Sequence, residues 1–262
     1  MKKYLSFLRI RFIAGLQYRA AAWAGMATQF FWGGMTILMY RAFYKSDPAS
    51  FPMSMSALSS YIWLQQAFLA LFMGWYYDGE ILDSVTTGSV GYELCRPCDL
   101  YAMWFIKNCA VRLSRAALRC LPILVFAALL PKPYCISLPA SLPAAPLFLL
   151  SMAMGLAVVT AFSMLVYISA FYTLTTSGVR ILAAAVTEFF SGAIIPIPFF
   201  PEPLQRVFCA LPFASMQSTP FLIWTGHISG TEALGALAMQ LIWLTALLAA
   251  GGLFMRSALR RV

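Results

Sequence analysis

Apolar residues in this chain gather into long runs. Those able to cover about 30 Å of hydrocarbon at about 1.5 Å per helical residue lie at 21–44, 57–77, 110–131, 147–174, 181–200 and 233–255. Six membrane-spanning helices are predicted. Residues 1–20 are too charged to cross, yet Leu5, Leu8, Phe12 and Leu16 share one helical face. That stripe predicts an interfacial helix leading into the first span. A basic tail held by snorkelling lysines is the alternative, since Phe7 and Ile10 lie off the stripe.

The stretch 201–232 is too apolar for a solvated loop and is broken by Pro201, Pro203, Pro212 and Pro220. Short helices dipping into the outer leaflet are expected there, packed on protein or lining a cavity. Just before it, Gly192, Pro196 and Pro198 interrupt the end of the fifth run, and each proline removes an intrahelical hydrogen bond. The outer end of that span is predicted to be broken.

Composition agrees with the pattern. At 262 residues, 61% hydrophobic, 10% charged and mean hydropathy +0.79, the chain reads as one integral membrane domain over residues 1–262. Charge then orients it. Lys2, Lys3, Arg9, Arg11 and Arg19 precede the first span; Arg96, Lys107, Arg112, Arg115 and Arg119 surround the second-to-third connection; Arg180, Arg256, Arg260 and Arg261 fall on the same face. Arg41, Lys45, Lys132 and Arg206 fall on the other. The bias places both termini in the cytoplasm and explains the basic residues better than nucleic-acid binding does. No cleaved signal peptide is expected, because arginines interrupt the first apolar stretch. Of the six cysteines only Cys135 and Cys209 would face the oxidising side, so no disulfide framework is expected.

Familiar reactive constellations are missing from the sequence. No P-loop occurs, so ATP, if used, is expected on another subunit together with its Mg²⁺. The single histidine, His227, cannot build a paired-histidine metal site and reads as an exterior surface residue. Cys95 and Cys98 have the spacing of half a zinc knuckle with no second pair nearby. Neither Gly88–Gly91 nor Thr176–Gly178 forms a serine-hydrolase motif. No catalytic residue, cofactor site or metal site is expected in this chain.

Glu188 lies within the fifth span, where a carboxylate is costly unless paired, protonated or wetted. It reads equally as a pathway residue or as a structural hydrogen-bonding group. Gln65, Gln66 and Gln240 read as contacts that join helices.

Between Asp78 and Asp99 the chain turns polar and acidic, with Asp78, Glu80, Asp83, Glu93 and Asp99 against Arg96 alone. Ile81, Leu82 and Val85, followed by Val90, Tyr92 and Leu94, can form an amphipathic helix-turn that touches the bilayer or a cytosolic partner. An ordinary solvated loop is the alternative. Residues 81–100, with Gly88 ahead of Tyr92-Glu93-Leu94-Cys95-Arg96-Pro97-Cys98-Asp99, resemble the first cytoplasmic loop of bacterial ABC-2-type transporter permeases. Residues 191–213, including Gly192, Pro196, Phe199-Phe200-Pro201 and Leu211-Pro212-Phe213, are similar to the fifth-span exit of the same family. Cys95 and Cys98 stand where the family usually has apolar residues, which favours packing over metal binding.

The resemblance implies an all-α, six-span, type V exporter-like permease of the bacterial cytoplasmic membrane. It would have a cytoplasmic coupling helix between spans 2 and 3 and a re-entrant pair of helices between spans 5 and 6. It also implies two such permeases, identical or not, each served by an ABC ATPase. Transferred position by position, the coupling role falls on Gly88, Tyr92, Glu93, Leu94, Arg96, Pro97 and Asp99. Arg96 would pair with a carboxylate of the ATPase, or contact a lipid phosphate instead, and Pro97 would end the coupling helix.

Forty aromatic residues (21 Phe, 12 Tyr, 7 Trp) and 14 Met suit an adaptable surface for hydrophobic or cationic amphiphiles such as drug-like or toxic compounds. A different class, an ion- or proton-coupled carrier or channel using Glu188, would be expected to show inverted repeats. The two halves of the chain show no clear internal similarity.

Overall fold

Long apolar runs satisfy their backbone polar groups internally when they are helical. The computed structural model of the chain describes residues 2–17, 19–173 and 175–260, and all the regular structure among them is helical. The α-helices are α1 (Lys2–Gly15), α2 (Arg19–Ser46), α3 (Met55–Ala67), α4 (Leu69–Phe72), α5 (Gly79–Thr86), α6 (Val90–Leu94), α7 (Leu100–Leu129), α8 (Ala144–Ser169), α9 (Ser177–Phe190), α10 (Glu202–Ala210), α11 (Ser218–Trp224) and α12 (Gly230–Ala258).

Four of these, α2, α7, α8 and α12, run 26 to 30 residues. By length and composition α8 and α12 are long and apolar enough to cross a membrane. α7 is longer, but it carries Lys107, Arg112, Arg115 and Arg119 along its first two-thirds. It also starts at Leu100, ten residues before the predicted span, because Asp99 caps it by accepting the Ala102 N–H at 2.7 Å.

Two predicted spans are not single rods. The run 57–77 is α3, then α4, then non-helical backbone to Asp78. The run 181–200 is α9, only 14 residues long, followed by a turn and a 3₁₀ segment at Ile197–Phe199. Pro196, Pro198 and Pro201 lie in and around that segment, and Gly192 adopts φ +77°, a conformation costly for any side chain.

The core lies between α3, α4, α8 and α11, where Tyr61, Trp63, Phe72, Tyr167 and Phe221 are fully buried. α12 packs along α8. Gln240 joins them: its amide donates to the Ser151 and Ser215 carbonyls at 3.1 and 2.8 Å and its oxygen accepts from Ser151 Oγ. Gln65 likewise donates to the Ala193 carbonyl, and Tyr61 donates to Gly192 O, so α3 holds the exit of α9.

The packing sorts the connections to two ends of the bundle. At one end Lys3 reaches Pro97 and Tyr172 reaches Ser257, gathering α1, the 78–99 segment and the end of α12. At the other, Arg41 lies over Tyr134 and Trp224 donates to Ser137 O.

α1 is the expected helix leading into α2, with part of its apolar stripe on protein: α1 runs beside the first half of α7, so Tyr4 meets Asp99 and Arg11 comes near Lys107 through their shared partner Glu80. Phe7 joins Leu8, Phe12 and Leu16 on the half-buried side, whereas Leu5 is 70% exposed. Met1, Tyr18, Leu174, Arg261 and Val262, with the side chains of Arg19, Ala20, Ala21 and Ser50, lie outside the described residues.

Candidate functional site

Residues 78–99 form an elbow of two short helices, α5 and α6, between the broken second run and α7. α5 begins where Asp78 Oδ1 accepts the Glu80 N–H at 2.9 Å and ends at Thr87, whose N–H and hydroxyl both reach the Asp83 carbonyl. Gly88, at φ +75°, takes the chain out of α5 with no Cβ penalty, and α6 follows.

The six apolar residues of the elbow split in two. Ile81, Leu82 and Val90 are buried against Trp104, Tyr167 and Ile168, with Val85 partly buried beside them. Tyr92 is 81% exposed, and Leu94, Arg96 and Pro97 are exposed with it. A continuous apolar face is therefore replaced by a buried base and a bare tip. Pro97 does not end α6 directly, since the helix stops at Leu94 with Cys95 as its cap. Cys95 and Cys98 are free thiols, and among the described residues no group of three His, Cys, Asp or Glu is placed to hold a metal ion.

Three fastenings hold the base. Glu93, unlike its neighbours at the tip, turns inward and accepts the indole N–H of buried Trp104 at 2.7 Å. Asp78 lies 3.1 Å from buried Lys107, which also reaches Glu80 at 2.7 Å, and Arg11 of α1 approaches Glu80 at 3.4 Å. Lys107 and Arg11 hold the Glu80 carboxyl below the usual carboxylate range, chiefly through the Lys107 hydrogen bond. From α1, Lys3 donates to the Pro97 carbonyl at 2.7 Å and Tyr4 Oη accepts the Asp99 N–H.

Beneath the elbow runs a buried polar chain that sequence reasoning missed. Tyr167 Oη of α8 accepts the Asp78 N–H at 2.7 Å and an Asn108 amide hydrogen at 3.1 Å. Arg112 Nε donates to Asn108 Oδ1 at 2.6 Å, and its other nitrogens donate to the carbonyls of Leu71 and Met73 and to Ser163 Oγ. The guanidinium is fully buried and satisfies the carbonyl end of α4, where the second run breaks. Arg112 and Lys107, read from sequence as topology markers, are structural cations. The available signal was their place on an apolar helix with Asn108 four residues before Arg112.

Glu188 is half-exposed on α9, and among the described residues no cation lies within ion-pair distance of it. Around it Ile181, Leu182 and Phe189 are exposed, while Phe190 and Phe200 cluster on Phe208 of α10.

No curated protein matches the chain. A family model described as ABC-2 family transporter protein matches residues 30–262, which include the elbow, its buried fastenings on α7 and α8, and the exit of α9. The chain belongs to the ABC-2 transporter family, as a membrane-embedded permease subunit of an ABC transporter.

Proposed function

We propose that this chain is the permease half of a bacterial ATP-driven exporter, crossing the cytoplasmic membrane six times with both termini and the elbow inside. Two permeases, identical or paired with a diverged second chain, are each driven by a separate ABC ATPase that carries the ATP and Mg²⁺. The single observation behind this reading is the division of the elbow. Tyr92, Leu94 and Arg96 stand free at the tip, while Glu93, Asp78 and Asp99 are tied to α7 and α1.

A partner seated on the tip would push against a body that cannot give locally. Displacement then passes to α7 through Trp104 and Lys107 and to α8 through Tyr167, biasing the bundle between two packings. In this reading Tyr92 and Leu94 supply apolar contact and Arg96 pairs with an ATPase carboxylate. Gly88 shapes the turn, Glu93 and Asp99 orient the tip, and Pro97 fixes the chain leaving α6. The interrupted segment Gly192–Pro201, with Pro196, Pro198, Phe199 and Phe200, forms the outer exit. The cargo is a hydrophobic or amphiphilic compound of the drug-like or toxic kind, taken by aromatic and Met-rich surfaces.

The test is purification of the tagged chain from its native membrane. A P-loop ATPase should co-purify, and Arg96→Glu should release it and abolish ATP-dependent transport while the permease remains folded. Full transport without any ATPase would overturn the reading.

A second reading rests on Glu188, whose carboxylate meets no cation among the described residues. It makes the chain an ion- or proton-coupled carrier. It requires gradient-driven flux in proteoliposomes holding this chain alone, lost in Glu188→Gln.

A further inference from the structure

A cavity of about 430 Å³ opens between α1, the start of α2, the stretch Tyr76–Glu80 and α7. That is within the range of small-ligand sites. Its charged walls are Arg11, Lys107, Arg115 and Arg119 against Asp78 and Glu80. Lys107 lies 3.1 and 2.7 Å from the two carboxylates and Arg11 3.4 Å from Glu80, so these two cations balance the two acids. Arg115 and Arg119 add two further cations to the walls.

Both arginines are held in place. The Arg115 guanidinium lies 3.8 Å from the centre of the Tyr76 ring, and among the described residues no carboxylate is within ion-pair distance of it. Arg119 lies flat on the bare backbone of α2 at Gly25, where a Cβ would stand 2.6 Å from the guanidinium carbon. Gly25 thus leaves the space its head occupies.

The depth of the cavity suggests its occupant. Three apolar runs begin or end at its level, at residues 21, 77 and 110, so it sits where hydrocarbon gives way to headgroups. On the two helices that carry Gly25 and Arg119, Trp23 of α2 and Leu121 of α7 are exposed. We propose that this cavity binds the phosphate of an anionic phospholipid headgroup, gripped by Arg115 and Arg119, with the acyl chains along Trp23 and Leu121. Arginine forks suit phosphate oxygens, and basic pockets between helices take acidic headgroups. An inorganic phosphate shares the first chemistry but has no use for the apolar wall. The assignment rests on the membrane family of the chain and not on the elbow's coupling role.

The test is native mass spectrometry and thermal melting of the detergent-solubilised chain with phosphatidylglycerol, phosphatidylcholine or inorganic phosphate added. Phosphatidylglycerol should be retained and should raise the melting temperature, and the other two should do neither. Joint Arg115→Gln and Arg119→Gln should lower phosphatidylglycerol retention about tenfold. Ala14→Glu, at an exposed lining position, should lower it as well without touching either arginine, and decides the matter if the double variant fails to fold. Equal retention of both lipids, stabilisation by inorganic phosphate matching that by phosphatidylglycerol, or unchanged phosphatidylglycerol retention in Ala14→Glu would overturn the proposal.

Discussion

Glu93 and Trp104 are joined by a 2.7 Å hydrogen bond, in which the buried indole of α7 donates to a carboxylate of the elbow. Glu93 is thereby separated in role from Tyr92 and Leu94 beside it, which face solvent. Glu93→Ala leaves a buried indole N–H without its acceptor, at a cost of about 1–3 kcal/mol. ATPase stimulation in the reconstituted complex should fall in Glu93→Ala and be largely kept in Glu93→Gln, which still accepts. Tyr92→Ala should lower stimulation with no change in melting temperature. Equal loss of melting temperature in Tyr92→Ala would mean that the tip is not free.

Arg112 donates to Asn108, Leu71, Met73 and Ser163. Arg112→Met removes the charge but strands two helix-end carbonyls, and should destabilise the detergent-solubilised protein by about 3 kcal/mol or more. Arg112→Lys keeps the charge but not the fork, and should fall between the two. Melting followed by tryptophan fluorescence gives the order.

Tyr167→Phe deletes one oxygen and leaves both the Asp78 N–H and the Asn108 amide without that acceptor. The expected loss is about 2 kcal/mol. Hydrogen exchange at the start of α5 should quicken more than exchange in α12, which shares no bond with the pair. Uniform quickening through both helices would contradict a local fastening.

Acid should loosen the base of the elbow. The folded carboxyl of Glu80 titrates below its ordinary value of 4.5, held down first by the Lys107 hydrogen bond and charge and then by Arg11. Its contribution is therefore complete above that ordinary value and is lost as pH falls through the lower, folded one. Glu80 is 71% exposed at its side chain, so the effect is small. Melting temperature measured while acidifying from neutral pH should fall less in Glu80→Gln than in the parent.

Much of the architecture was legible because apolar run length is a strong physical constraint. The runs at 21–44, 147–174 and 233–255 correspond to α2, α8 and α12 within a few residues at most ends. The interruption after Phe72 was not legible. Its segment, Met73-Gly74-Trp75-Tyr76-Tyr77, stays apolar and aromatic, and what supports the break is Arg112, some forty residues later. The sequence resemblance singled out the elbow, and hydrophobic pattern marked its amphipathic character. Neither could separate Val90, buried by Trp104 and Tyr167, from Tyr92 two positions on, because that depends on how the turn at Gly88 aims α6. Leu5 and Phe7 exchanged places for a similar reason: α7 covers the side of α1 that carries Phe7 and leaves Leu5 bare.

Pro122 lies inside α7 and cannot donate to the Leu118 carbonyl one turn earlier. It is 22 residues along the helix from Leu100, about 33 Å from the fastened end at about 1.5 Å per residue. From Asp99 to Leu118 the helix is tied to the elbow, to α1 and to α8, and behaves as a stiff handle. If the elbow takes the coupling role proposed for it, this missing bond lies far from where force would enter, and a small tilt at the handle would be felt as a swing of the last turn and of the 131–143 connection beyond it.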